Sequence, residues 1–456
     1  MKYNITHKNI LNFNKSFNKK RTNKIFKNVN TKRQFSDLVI ESDYVQKDHT
    51  KFSNIIDVKT KITEQGNSGT CWIFSILNIM RINMIRDYNL TEFEFSENYL
   101  FFYDRLEKAN FFLNYIINNY NKDIDNDAKL INMLIAKTND GNHWSMFYNL
   151  IKKYGIIPKS AMSDHFHSKN SEEMNDFLNN YLIQVSEKII ETLKKKNNTK
   201  NQRALITNAL NECYKILVIF LGEPPKTFDW SYIIIKKKDS LEYKSNEQII
   251  TYNNLTPLIF YNKFVKNNVD RKICLINYPC KNVPFFKKYR IELTPDVIGG
   301  KEPSVINVPQ SVIFKAIKKS IDDKNAVWCG IDWNKFNANK YGILDTKAFN
   351  YNDIFDNDNI MSKCSGLKYR QSHPNHAVII RGYNINNGKI DKFLVENSHG
   401  DNNIFNGFIS MSVEWFNLYL YEIVVDKKYI DTNIIDINKY KTIILPYNSP
   451  FGSLFK

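Results

Sequence analysis

No apolar run in this 456-residue chain approaches the ~20 residues that a membrane-crossing helix needs; the best lies around Ile216 to Leu221 and is far too short. A soluble protein without a membrane partner is therefore expected. Cysteine is also scarce. Cys71, Cys213, Cys274, Cys280, Cys329 and Cys364 lie far apart, which is not how a small secreted disulfide framework is built, so reduced thiols are expected. Cys274 and Cys280 are too widely spaced for a zinc knuckle and have no His nearby, and His165 and His167 lack a surrounding carboxylate or Cys pattern. No metal is expected. Residues 1–36 contain no Asp or Glu, which would suit a transit peptide, yet Asn dominates where Ser and Arg should. Residence in the cytoplasm is the expectation.

What the chain does have is apolar material and positive charge. Hydrophobic residues make up 43%, with 31 Phe and 26 Tyr, enough for a full core, so disorder is not the default reading. The length exceeds the point at which single cores usually stop growing, so a main domain with a large insertion or second domain is expected. The net charge of +17 attracts polyanions, but Lys is spread along the whole chain. Lys194–Lys195–Lys196 and Lys236–Lys237–Lys238 are the candidates for weak nucleic-acid binding, and each triplet also fits a plain solvated face.

The richest segment is Gln65-Gly66-Asn67-Ser68-Gly69-Thr70-Cys71-Trp72. Ile73, Leu77, Met80 and Met84 then recur at helical spacing, which puts Cys71 in the first turn of an amphipathic helix. A thiol there sits at the positive end of the helix dipole, and a lowered pKa is expected. Gln65 offers a side-chain amide that could hold an oxyanion together with the Cys71 N–H. A thiolate mechanism needs a base. His376 opens the apolar run His376-Ala377-Val378-Ile379-Ile380, and a return strand Phe393 to Asn397 follows the turn residues Asn386-Asn387-Gly388. A turn centred between Asn386 and Asn387 puts His376 opposite Asn397, whose amide oxygen could then accept the imidazole N–H. A bulge would shift that register.

Helical patterns also follow Ser96, a candidate N-cap, and occur around Met146 to Tyr154 and Met174 to Lys196. Gly222, Pro224 and Pro225 break the pattern before strand-like Ile233 to Ile235 and Gln248 to Tyr252. Cys, then His and Asn far downstream, is the cysteine-peptidase layout. In papain-like enzymes the His follows the Cys by ~130 to 150 residues, whereas here it follows by roughly three hundred, so an insertion separates the two halves.

These motifs resemble the bleomycin hydrolase and aminopeptidase C branch of the papain-like cysteine peptidases. The likeness also runs through Asn149 to Lys159, Gly222-Glu223-Pro224-Pro225, Thr256-Pro257-Leu258, Val297 to Gly300, Val395 to Ser398 and Leu445 to Leu454. It implies an α+β papain-like fold, with a helical half and an antiparallel β half, a large mainly helical insertion and a C-terminal arm. The corresponding division is 1–54 (basic arm or helix), 55–165 (helical half), 166–320 (insertion), 321–430 (β half) and 431–456 (arm entering the cleft). The implied activity is that of a cofactor-free aminopeptidase acting on short or unfolded peptides from a homohexamer. The alternatives are an endopeptidase, if the arm does not enter the cleft, and a basic nucleic-acid-binding hexamer in which peptidase activity is secondary.

Carried over by the resemblance, Cys71, His376, Asn397 and Gln65 are catalytic, and Trp72, Asp140, Gly141, Asn142 and Phe455 bind substrate. Removal of Lys456 would leave the carboxylate of Phe455 to bind the substrate's α-amine. The chain departs from the family where His399 follows Asn397-Ser398 in place of a Trp, and where Asn142 replaces the second of paired glycines. Weaker shielding of the Asn–His contact and an altered pH profile are the expected results of the first departure.

Overall fold

The computed structural model describes residues 2–136, 138–196, 202–235, 247–265 and 269–451. Two basic helices open it, α1 (His7–Lys19) and α2 (Arg21–Val29), and neither buries a residue. The core begins at Ile56, and its central helix is α3 (Cys71–Tyr88), whose side chains are buried on nearly every face, as befits a helix that runs through the centre of a protein. It stops at Asn89, which takes the left-handed conformation (φ 51°) and donates its N–H to Ile85 O. α4 (Glu97–Asn118) starts as its sequence predicts, with the Ser96 hydroxyl accepting the Tyr99 N–H. α5 (Trp144–Tyr154) packs against it.

The insertion contributes α6 (Glu172–Lys196) and α7 (Gln202–Leu221), which pack on α4 and on each other. α7 is long and apolar enough by composition to cross a membrane, which corrects the expectation that no stretch comes close. In the fold its Ala209, Cys213, Ile216, Leu217 and Leu221 are buried. Polar Asn208, Asn211 and Glu212 interrupt the sequence without breaking the helix, which is why reading unbroken apolar runs missed it. The hairpin β1 (Phe228–Ile235) and β2 (Glu247–Leu255) follows, and the Lys236–Lys238 triplet lies outside the described residues.

β3 (Lys272–Ile276), β4 (Lys287–Ile291) and β5 (Val305–Asn307) precede α8 (Gln310–Asp322). Then come β6 (Val327–Ile331), the short α9 (Lys363–Lys368), β7 (His376–Asn386), β8 (Lys389–Glu396), β9 (Phe408–Ser412), β10 (Leu420–Asp426) and β11 (Ile443–Leu445). These strands form one sheet in the order β11-β4-β5-β3-β10-β6-β7-β8-β9, so it also takes strands from 272–307 and from 443–445. α3 lies against β7. The two secondary-structure halves of the fold thus meet where the helix begins and that strand begins.

Two corrections concern bonding. Cys280 and Cys364, 84 residues apart in sequence, are joined as a disulfide across a Cα separation of 5.3 Å, so the expectation of reduced thiols holds only for Cys71, Cys213, Cys274 and Cys329. The partners are separated in sequence but adjacent in the fold, a juxtaposition that spacing does not reveal. The β7–β8 turn is centred between Asn387 and Gly388, both at positive φ (50° and 75°), one residue later than expected. Ile379 therefore opposes Glu396, and continuing that register brings Asn397 level with Val378 rather than with His376. Moving the centre by one residue shifts the register by two. A shift of two keeps every side chain on its face, so His376 and Asn397 remain diagonal neighbours.

Candidate active site

Cys71 is the first residue of α3, and the loop before it is tied down residue by residue. Gln65 N donates to Ser398 O (2.9 Å), Asn67 N to Lys169 O (2.7 Å) and Gly69 N to Asp140 Oδ2 (3.1 Å). Gly66 has φ +63°, and a Cβ there would come within 2.5 Å of Lys169 O, so this turn requires glycine. Ser75, one turn into α3, donates its hydroxyl to Ala377 O at 2.8 Å. That bond locks the helix start to the strand start, and the Cys71 thiol lies against the Ala377 backbone N–H.

His376 Nε2 meets Asn397 Oδ1 at 2.8 Å with both residues buried. The amide oxygen accepts the Nε2 proton, which leaves Nδ1 as the imidazole atom that can exchange a proton with the thiol. Asn397 is positioned by its neighbours on both sides. Glu396 binds Arg81 (3.3 Å) and Arg381 (2.5 Å), all three buried, and Ser398 donates its hydroxyl to Gln65 Oε1 (2.6 Å). Gln65 in turn donates from Nε2 to Ser68 O (2.7 Å), which fixes the amide plane beside the helix start and occupies one of its two N–H bonds.

Burial, outweighing nearby backbone N–H groups, pushes the Cys71 thiol up to about 11. This corrects the expected lowering: the desolvation of a side chain with 6% exposure exceeds what the helix terminus returns. Burial likewise holds His376 down to about 4, against the favourable Asn397 bond and with a further push downward from His399. A lone charge on either group is thus disfavoured, whereas transfer of the proton from Sγ to imidazole creates two opposite charges that support each other.

Two aromatic rings pack against the His376 imidazole, His399 stacked on it and Trp333 tilted across it. Trp333 lies 5.0 Å away between ring centroids and His399 lies 5.3 Å away at an interplanar angle of 14°. The shielding expected to be weak without a Trp after Ser398 is thus supplemented by Trp333, which comes from the loop after β6. Asp332 organises that loop. Its carboxylate accepts from Ser372 Oγ (2.7 Å), His373 N (3.2 Å) and Asn375 Nδ2 (2.7 Å), and Asn375 Oδ1 accepts from Trp333 N (2.8 Å).

A cleft of ≈ 960 Å³ opens beside Cys71, lined by Gly69, Asp140 and Gly141 on one side, Arg370 and His373 on another, and Ser449 of the terminal segment. Asp140 and Gly141 therefore face it. The Asp140 carboxylate is desolvated, but Arg105, Ser171, the Gly69 N–H and Asn175 hold it below the usual range. Two expected substrate contacts are corrected. Trp72 has no exposure and donates its indole N–H to Asp140 O (2.9 Å), and Asn142 is equally buried, accepting the His143 N–H through Oδ1 (2.9 Å). Both shape the loop from behind. Phe455 and Lys456 lie outside the described residues.

The sequence reading missed Arg81, Arg381, Glu396, Trp333 and Asp332. An Arg within an apolar helix, an Arg within an apolar strand and a Glu beside the candidate Asn were the available signals.

Comparison with known proteins agrees with this geometry. Residues 4–452 match the model of the Peptidase C1-like family. The chain is 32% identical over 437 residues to a bleomycin hydrolase of Gallus gallus, covering 94% of each, and 35% identical over 395 residues to an aminopeptidase C of Listeria monocytogenes, covering 86% of each. The crystal structure of PepW from Lactobacillus rhamnosis superposes with a TM-score of 0.91 at 29% identity, covering 99% of both chains. A buried Cys at a helix start, a His–Asn pair beside it and a full-length match together establish that the chain belongs to the Peptidase C1-like family of cysteine peptidases.

Proposed function

We propose that this protein is a thiol aminopeptidase that releases residues from the free N-terminus of short or unfolded peptides. The observation that carries the reading is the His376–Asn397 bond at the strand end clamped to the Cys71 helix, opening on a cleft. Cys71 Sγ, having given its proton to His376, attacks the peptide carbonyl. The oxyanion is held by the Cys71 backbone N–H and by the remaining N–H of Gln65. His376 then donates its proton to the leaving amine, and a water completes hydrolysis of the thioester as His376 takes its proton. Asn397 keeps the imidazole in one tautomer throughout.

Aminopeptidase action is favoured over endopeptidase action by Asn448, Ser449 and Pro450, which bring the C-terminal segment to the wall of the Cys71 cleft. The reading extends to Lys456, whose loss would free the carboxylate of Phe455 to pair with a substrate's ammonium group. Assembly as a homohexamer belongs to the same proposal. Ile10, Phe13 and Phe17 on α1 and Ile25 and Val29 on α2 are exposed apolar residues that a second copy could cover. The deciding experiment compares unblocked and N-acetylated aminoacyl amides, with and without a thiol alkylator and with Lys456 deleted. Faster turnover of the acetylated series would refute aminopeptidase action, and sedimentation as a monomer would refute the assembly.

A further inference from the structure

The cluster of Trp333, His376 and His399 contains one imidazole that takes no step in the proposed chemistry. His399 lies nearly parallel to His376, 5.3 Å between ring centroids, and is partly open to solvent, while His376 is buried. Trp333 touches both rings, 5.0 Å from His376 and 6.3 Å from His399. The segment entering the nucleophile loop runs alongside, through an antiparallel backbone bridge between Glu64 and His399. The titratable groups facing His399 are therefore Glu64 and His376, and Trp333 adds an uncharged ring. The Glu64 carboxylate is anchored by accepting the Gly66 N–H at 2.9 Å.

We infer that His399 is a positioning residue whose protonation controls how readily His376 accepts the Cys71 proton, so that the Glu64–His399 pair sets the acid limit of nucleophile activation. An imidazolium at His399 stacked on His376 repels a second imidazolium, and the Cys71 proton then stays on sulfur. With His399 neutral, transfer proceeds. Glu64 acts in the opposite direction on His399, since its negative charge favours the protonated ring. Burial holds His399 below the usual histidine range, against the pull of Glu64. No bond is made to His399 at any step, and the only group exchanged is its own proton with solvent.

This inference concerns activation of the thiol and rests on the cysteine-peptidase site, not on the choice of substrate. The test measures the rate of Cys71 alkylation by iodoacetamide, a neutral reagent, against pH for the full-length protein, alongside turnover of an unblocked aminoacyl amide. In His399→Phe the acid midpoint of alkylation moves to lower pH by about one unit, as expected for removing a like charge at this separation in a partly hydrated site. Glu64→Gln moves the midpoint in the same direction by less, and has no effect in the His399→Phe background. A structural role alone would lower the rate at every pH without moving the midpoint. His399→Asn provides the same test if the Phe variant is unstable. Coincident midpoints in wild type and both His399 variants would overturn the inference. A shifted alkylation midpoint with no aminoacyl amide turned over would uphold it and sink the aminopeptidase reading instead.

Discussion

Replacing Glu396 by Gln tests whether the ionic triad behind the site is what positions Asn397. Glu396 is 1% exposed, and its two oxygens are divided between Arg81 at 3.3 Å and Arg381 at 2.5 Å. Those guanidiniums also hold the incoming segment, Arg81 by donating to Lys61 O and Arg381 by donating to Ile56 O and Val58 O. Gln preserves shape and one acceptor but removes the charge, leaving two buried cations facing a neutral amide. Breaking a buried pair in this way costs about 3 to 5 kcal/mol, most of it the penalty of the uncompensated charges. For a chain of this size that corresponds to a fall in melting temperature of roughly 3 to 5 °C. Asn397 is the next residue, so its amide loses alignment and kcat/KM falls by up to about a hundredfold. The assays are a thermal melt by circular dichroism and kcat/KM on an unblocked aminoacyl amide at pH 7. A variant melting within about one degree of wild type, with undiminished turnover, would refute the claim that this triad supports the site.

Cys71→Ala abolishes hydrolysis while leaving the melt cooperative, and residual turnover with alkylator-sensitive kinetics in that variant would exclude Cys71 as the nucleophile. Asn397→Ala removes a hydrogen bond to a ring that becomes charged, worth about 1.5 to 3 kcal/mol, so kcat should fall by roughly 10- to 150-fold with little change in KM. His376 is held down to about 4 by burial, so the folded state binds fewer protons than the unfolded state below the ordinary histidine value of 6.5. Its contribution to stability is lost as pH falls from that value toward 4, up to about 3 kcal/mol, and urea titrations of His376→Gln should lack this part of the acid destabilisation. Titration of the denatured protein with a thiol reagent should count four thiols without reductant and six with it, because Cys280 and Cys364 are joined.

Several features could be read directly from residues. The start of the nucleophile helix follows from the apolar spacing after Cys71, and the start of α4 follows from Ser96, because capping and amphipathicity are local properties. The hairpin carrying His376 and Asn397 was legible from two apolar runs around Asn387-Gly388, and a period of two protected the contact from the misplaced turn centre. What could not be read arises where distant segments meet. Trp333 covering His376, Arg81 and Arg381 converging on Glu396, and Cys280 reaching Cys364 each depend on long loops being brought back to one place.

The upward shift of the Cys71 thiol belongs with these. A helix terminus favours the thiolate and is written in local sequence, whereas the desolvation that outweighs it is supplied by the strand and loops packed over it. Sequence alone therefore determined which atoms can react and which faces they occupy. Only the tertiary structure decided what surrounds them, because burial and charge pairing depend on segments hundreds of residues away in the chain.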